Sequence, residues 1–251
     1  MTTAALPPNS PRMDADPDMN SLLSTAPCAV RTGVHIDTWF GVGGAADLYA
    51  EPNSPEELGS LLQWARAKGI RPVRVLGDGA NLLVADEGVD GLVVSLANLD
   101  RVDWPETVGA QPRQAFRVRA QGGARLLEMV NDSVRRGLMG LESLAGIPAT
   151  IGGAVAMNAG GAFGQIADCV RAVRALAPDG TLATFTRDEV GFEYRKGLRG
   201  HVIAEVDLEL HFAPDQFSLR ERLKDVMAYK KGSQPMGEHS AGCAFKNPTM
   251  R

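Results

Sequence analysis

Val73-Arg74-Val75-Leu76-Gly77-Asp78-Gly79-Ala80-Asn81 is a short apolar strand that runs straight into a glycine-rich turn. Successive backbone N–H groups in such a turn can form a concave anion site. The glycines let main chain approach a diphosphate closely, and Asn81 can add a side-chain donor. A simple hairpin turn fits the same residues and needs no ligand, so the stretch alone leaves both readings open. Its surroundings give it weight. Ser54-Pro55-Glu56-Glu57 is a capping box with proline at the first helical position. Leu58, Leu61, Leu62 and Ala65 then share one helical face, and Gly69 is placed to end the helix. Strands are expected at 73–76, 82–84 and 92–96, giving a β-α-β-turn-β first lobe.

A second glycine-rich stretch lies downstream. Ala145-Gly146-Ile147-Pro148-Ala149-Thr150-Ile151-Gly152-Gly153-Ala154 leads on to Met157-Asn158-Ala159-Gly160-Gly161. Small side chains leave room for a flat ring or a diphosphate against the main chain, and Pro148 stiffens the loop. A flexible linker would favour serine and charge instead. The whole segment from Gly140 to Gly164 shows no regular periodicity and is read as a functional loop. Around it the sequence predicts a strand from Phe116 to Ala120 and a helix with Leu127, Val130 and Val134 inward. A hairpin is expected at 170–177 and 182–185, and a half-buried strand alternating from Val202 to Leu210. Ser218-Leu219-Arg220-Glu221 is read as the capping box of a last helix carrying Leu223, Val226 and Met227 inward.

Composition narrows the function classes. The 251 residues suffice for one large or two modest domains, and 44% hydrophobic with 22% charged residues is ordinary for a soluble globular protein. A net charge of -4 without long basic runs argues against a nucleic-acid binder. No apolar run is long enough to cross a bilayer. Cys28, Cys169 and Cys243 offer neither zinc spacing nor a disulfide framework, which fits reduced thiols in a cytoplasm. Residues 1–29, with Pro7, Pro8, Pro11 and Pro17, read as a disordered tail.

Three further groups can carry chemistry. In Ser240-Ala241-Gly242-Cys243-Ala244-Phe245-Lys246-Asn247-Pro248 a small-residue turn presents a thiol, followed by a cation and an amide. With a reference pKa of about 8.5, Cys243 is mostly protonated near neutrality and is a competent acid, although a buried inert cysteine is the common alternative. Arg195, after Tyr194, can grip a carboxylate or phosphate; a solvated charge at a strand end is the bland alternative. Gly41-Val42-Gly43-Gly44-Ala45-Ala46 matches a loose dinucleotide fingerprint but neither follows a clear strand nor opens a helix, so a nicotinamide-binding Rossmann domain is not expected. The four histidines show no mutual spacing that suggests a metal site.

Taken in order, these motifs resemble the UDP-N-acetylenolpyruvoylglucosamine reductases. Thr38-Trp39-Phe40 with Gly43, Gly44 and Asp47 looks like the family's opening strand, and Gly77 to Val84 like its pyrophosphate turn. Leu141-Glu142 through Gly161 is similar to its flavin loop, Tyr194-Arg195 to its catalytic arginine pair, and Ser240 to Pro248 to its proton-donor turn. The resemblance implies an α+β, FAD-binding fold of the vanillyl-alcohol oxidase (PCMH) type: two α/β lobes, 30–100 and 101–212, then the start of a substrate-binding domain at 213–251. It implies non-covalent FAD held by Gly77, Asp78, Gly79, Ala80, Asn81, Leu82, Ala145, Gly146, Ile147, Pro148, Thr150, Gly152, Gly153, Ala154, Asn158 and Ile203. NADPH is the implied co-substrate and a UDP-sugar enolpyruvate the substrate, reduced by a cytoplasmic monomer. Arg195 and Cys243 take the catalytic positions, with Cys243 where serine is more usual; Tyr194, Lys246 and Asn247 take the substrate positions.

The sequence also departs from the family. Ala80 stands where serine is common, Gly41 and Ala156 where basic residues often occur, and Gly197 where a polar residue is usual. Family members continue beyond the Lys-Asn-Pro turn to a late catalytic glutamate, so a truncated chain is expected. Two alternatives remain at this point: an FAD-dependent alcohol or sugar oxidase, against which no histidine lies in the turn or loop, and a flavin-binding fragment without turnover.

Overall fold

The structure is a computed structural model that describes residues 17–233. Cys243, Lys246 and Asn247 therefore lie outside the described residues. The described residues open with helix α1 (Pro17–Leu23) and an antiparallel pair, β1 (Val30–His35) and β2 (Ala45–Ala50). The segment expected as a disordered tail is thus helical over its last part. Met19 is buried there, and Leu22, Leu23 and Cys28 pack beside it against the core.

Helix α2 (Pro55–Ala67) starts where the sequence places it. Ser54 is its N-cap and accepts from the Glu57 N–H at 3.1 Å, and proline sits in the first turn. Its apolar face, Leu58, Leu61, Leu62 and Ala65, is almost fully buried. β3 (Val73–Leu76) and β4 (Val89–Ser95) complete a four-stranded sheet in the order β1-β2-β4-β3, with β2, β4 and β3 parallel. The strand expected at Leu82–Val84 is absent; that segment is irregular, with Leu83 exposed and Val84 folded inward against Gly43.

The second sheet is antiparallel. β5 (Val102–Asp103), β6 (Ala115–Gln121), β10 (Val170–Leu176), β11 (Leu182–Thr186) and β12 (Val202–Phe212) run in the order β11-β10-β12-β6-β5, with β7 (Leu138–Met139) on the end of β12. The alternation expected in β12 holds: Val202, Ala204, Val206, Leu208 and Leu210 are all buried. On its other face Glu205 and Glu209 stay partly exposed, whereas Asp207 is buried beneath Arg119 at 2.8 Å and Arg174 at 3.3 Å. A carboxylate taken from water needs such partners.

Helix α3 (Leu126–Arg135) buries Val130 and Val134 as expected, together with Leu126 and Met129, whereas Leu127, expected inward, is exposed. The segment 140–164 is not a loop throughout. It holds α4 (Ile151–Met157) and a small hairpin of β8 (Gly160–Gly161) and β9 (Gly164–Gln165). After the short α5 (Arg187–Val190), α6 (Gln216–Ser233) closes the described chain. Its start is capped by Asp215, which accepts from Phe217 and Ser218, and not by the Ser218 box. Leu176, Val202 and Ala204 of the second sheet share a core cluster with α2 and β4, which joins the sheets into one body.

Candidate functional site

The glycine-rich turn leaves β3 with its main chain open. Among the described residues, none of the five N–H groups from Gly77 to Asn81 donates to a protein acceptor. The turn is nevertheless fixed. Gly79 adopts φ +65, its carbonyl accepts from Trp39 N–H at 3.2 Å, and a Cβ there would lie 2.6 Å from the Asp37 carbonyl. A rigid row of unpaired donors is the arrangement that binds an anion.

The second glycine-rich segment meets this turn but divides in two. Gly146, Ala149 and Thr150 also keep N–H groups that donate to no protein acceptor among the described residues, and Pro148 has none to give. From Ile151 onward the donors are spent: Ile151 N–H on Ala124, Gly152 N–H on Gly122, and Gly153 N–H on the Thr150 hydroxyl at 3.2 Å. These bonds stitch α4 to Gly122–Ala124. A Cβ on Gly123 would sit 1.8 Å from the Leu96 carbonyl, so only glycine lets these two backbones meet. Ile203 contributes its carbonyl to the same seam, facing Gly122. The Thr150 hydroxyl stands where a Cβ on Gly77 would reach it at 2.7 Å, which places the turn directly beside the helix start.

A cavity of about 550 Å³ opens on this junction, lined by Gly77, Asp78, Gly123, Trp104, Met129 and Thr150 among others. Arg125 stands on its wall, 3.6 Å from the carboxylates of Asp78 and Glu128. Leu82 lies just past the turn and is 40% exposed.

At the far end of α4, Asn158 caps the helix in a left-handed conformation, φ 46. Its Nδ2 donates to the Glu193 carbonyl at 3.0 Å and to Gln165 Oε1 at 2.9 Å. Glu193 and Lys196 close a tight hairpin by paired backbone bonds, and Lys196 holds the Glu193 carboxyl below the usual carboxylate range. Tyr194 and Arg195 form the tip of this hairpin: Tyr194 is 57% exposed, Arg195 has φ 54, and its guanidinium carbon stands 5.8 Å from the Tyr194 ring centre. Gly197 N–H bonds the Ala156 carbonyl, and a Cβ on Gly197 would strike the Val155 carbonyl, so the hairpin lies flush on α4. Nearby, the buried Glu142 accepts from Gly140 N–H and pairs with Arg222 at 3.3 Å, which fixes α6 to the start of the segment. Burial and the Glu142 charge push the Cys169 thiol up to about 12, leaving it an inert core group.

The fold therefore brings together the turn residues Gly77–Asn81, the segment Ala145–Ala154 and Ile203 at one junction, and Asn158 with Tyr194 and Arg195 at the other end of α4. Sequence reasoning missed Gly122-Gly123, Arg125 and Gln165. The glycine pair after a strand was the one available signal; the roles of Arg125 and Gln165 depend on contacts between distant segments.

A family model for an FAD binding domain matches residues 46–186. A UDP-N-acetylenolpyruvoylglucosamine reductase of Syntrophus aciditrophicus is 38% identical over 213 residues, covering 84% of this chain and 66% of the relative. The enzyme of that name from Thermus thermophilus is 42% identical over 214 residues, covering 84% of this chain and 72% of the relative. Among solved structures, UDP-N-acetylenolpyruvylglucosamine reductase from Thermus caldophilus aligns with a TM-score of 0.68 at 38% identity, over 84% of this chain and 71% of that one. A solvent-stable cholesterol oxidase aligns at 0.57 with 20% identity, over 73% of this chain and 38% of that one, a likeness of fold alone. The chain spans about two thirds of the length of the relatives it matches.

Proposed function

We infer the activity from one premise: the chain belongs to the UDP-N-acetylenolpyruvoylglucosamine reductase family. It is an FAD-dependent oxidoreductase on this reading, reducing the enolpyruvyl ether of UDP-N-acetylglucosamine to UDP-N-acetylmuramate for peptidoglycan synthesis, with NADPH as reductant. The observation that carries it is the row of N–H groups from Gly77 to Asn81 that donate to no acceptor among the described residues, lying beside Thr150, whose N–H, like those of Ala149 and Gly146, is also left over.

The residues fit the dinucleotide. A diphosphate is an acceptor-rich dianion, and the turn offers it donors without a side chain in the way. Asn81 adds an amide, Leu82 and Ile147 supply apolar contact, and Ala145, Gly152, Gly153, Ala154 and Ile203 keep the wall thin. Bound FAD would supply hydride chemistry that no side chain of this protein can perform.

The protein's own part is orientation, charge and a proton. Hydride addition to the enolpyruvyl double bond leaves negative charge on the carbon beside the substrate carboxylate. Arg195, held rigidly at the hairpin tip, stabilises that charge. The Cys243 thiol delivers the proton that completes the two-electron reduction. Lys246 and Asn247 hold the substrate and Tyr194 shapes its pocket. The protein acts as a cytoplasmic monomer on this account, on small molecules and not on nucleic acid or lipid; no described helix is long and apolar enough to cross a membrane.

An anaerobic flavin spectrum tests the reading. NADPH should bleach the oxidised bands, and the enolpyruvyl nucleotide should restore them. Bleaching that persists after the nucleotide is added contradicts it. Replacement of Cys243 by serine should preserve turnover and alanine should abolish it.

A further inference from the structure

The cavity at the junction is rich in carboxylates. Asp78, Asp100, Glu128 and Asp132 line it, and Arg125 is the one cation among its described lining residues. A diphosphate arriving at the turn meets the Asp78 carboxylate, and neutral N–H dipoles alone would face that repulsion. Binding the dianion calls for a positive charge at the turn, and the fold supplies one.

Arg125 sits where three segments converge. It bridges Thr150 in an antiparallel pair, flanked by the bonds from Leu126 N–H to the Ala149 carbonyl and from Ile151 N–H to the Ala124 carbonyl. Side chains directly opposed in such a pair stand side by side, and the Thr150 hydroxyl in turn lies where a Cβ on Gly77 would reach it. The guanidinium is 3.6 Å from Asp78 and 3.6 Å from Glu128, beyond hydrogen-bond reach of either, and it makes no hydrogen bond among the described residues. Its N–H donors are open, and an ion pair on a side chain 62% exposed is weak enough to be exchanged.

Helix α3 gains nothing from this residue. Arg125 occupies the N-cap in an extended conformation, φ -76, and its side chain makes no cap bond. Serine, threonine, aspartate or asparagine serve that place, and a cation there opposes the positive end of the helix dipole.

We propose that Arg125 is the cation of the diphosphate site: on binding, its guanidinium leaves Asp78 for the phosphate oxygens beside the Gly77–Asn81 donors. This rests on the FAD reading above.

FAD titration of the apoprotein, followed by flavin fluorescence and paired with urea unfolding, tests it. Arg125→Ser should bind FAD about tenfold more weakly at an ionic strength of about 0.01 M, and the gap should narrow to about twofold near 1 M. The unliganded variant should be at least as stable as the wild type, because serine caps α3. A residue with only a structural role would lose stability and affinity together. Arg125→Lys, which keeps the charge, should stay within about threefold of the wild type. Affinity of Arg125→Ser equal to that of the wild type, or a deficit undiminished by salt, overturns the proposal while leaving FAD binding intact. Failure of the wild type to bind FAD overturns the FAD reading with it. On the unaltered protein, FAD should shield Arg125 from phenylglyoxal, read by peptide mass spectrometry, and equal labelling with and without FAD refutes the contact.

Discussion

Two glycine-rich stretches, alike in the sequence, use their backbones in opposite ways. Among the described residues, no N–H from Gly77 to Asn81 is spent, while from Ile151 to Gly153 every N–H is spent inside the protein. In the first, glycine lets the chain turn through φ +65 and present its donors. In the second, small residues let α4 lie against Gly122–Ala124, where a bond network replaces a ligand. Richness in glycine marks close approach, and only the hydrogen-bond ledger tells whether the approaching partner is a ligand or the protein itself. The division falls inside the second stretch: Gly146, Ala149 and Thr150 belong with the turn, Ile147 and Ile151 to Gly153 with the donors spent on the fold.

Substitutions should separate the two uses. Gly123→Ala places a Cβ at 1.8 Å from a carbonyl of the neighbouring sheet, and backbone must move to admit it. Unfolding in urea should show a loss of about 3 kcal/mol or more, since overpacking at a backbone contact has no easy relief. Gly79→Ala strains a left-handed residue against the Asp37 carbonyl at 2.6 Å. We expect about 1–2 kcal/mol of destabilisation and FAD affinity lowered by about tenfold, because the donor row is displaced. A Gly79 variant that loses stability but not affinity would put the turn in the same class as the seam.

Thr150→Ala removes the cap of α4 and should cost about 1 kcal/mol of stability. It leaves the Thr150 N–H in place, so flavin titration should show affinity changed by less than about twofold. Asp78→Asn acts on charge alone. Its carboxylate sits in the turn, partly balanced by Arg125 at 3.6 Å, and opposes an incoming diphosphate. The variant should bind FAD about threefold more tightly at low salt, an effect of about 0.6 kcal/mol that shrinks as salt screens it.

Much of the scaffold was legible because periodicity and capping are local. Ser54 and Pro55 announce α2, and the alternation from Val202 to Leu210 announces β12. The segment Leu82–Val84 reads as a strand by composition, yet the chain there bends so that Val84 fills the space beside Gly43. α4 was hidden because Gly152, Gly153 and Ala154 carry no periodic signal; its stability comes from Thr150 and from bonds to Gly122 and Ala124. Leu127 was assigned inward because periodicity fixes a face only to within about a residue, and Met129 took the place in the core. Asp215 displaced Ser218 as the cap of α6 because its carboxylate satisfies two N–H groups where a hydroxyl satisfies one. At the site, the turn and the Tyr194-Arg195 pair stood out as sequence, whereas the link from Asn158 to Glu193 joins residues far apart in the chain.

The most direct measurement is amide hydrogen exchange with and without FAD, resolved along the two stretches. FAD should slow exchange sharply at Gly77–Asn81 and at Gly146, Ala149 and Thr150, and leave Ile147 and Ile151–Gly153, already bonded, as protected as before. Exchange unchanged at the turn, or protection gained equally at Ile151–Gly153, would contradict the division of the site into donors kept for the ligand and donors spent on the fold.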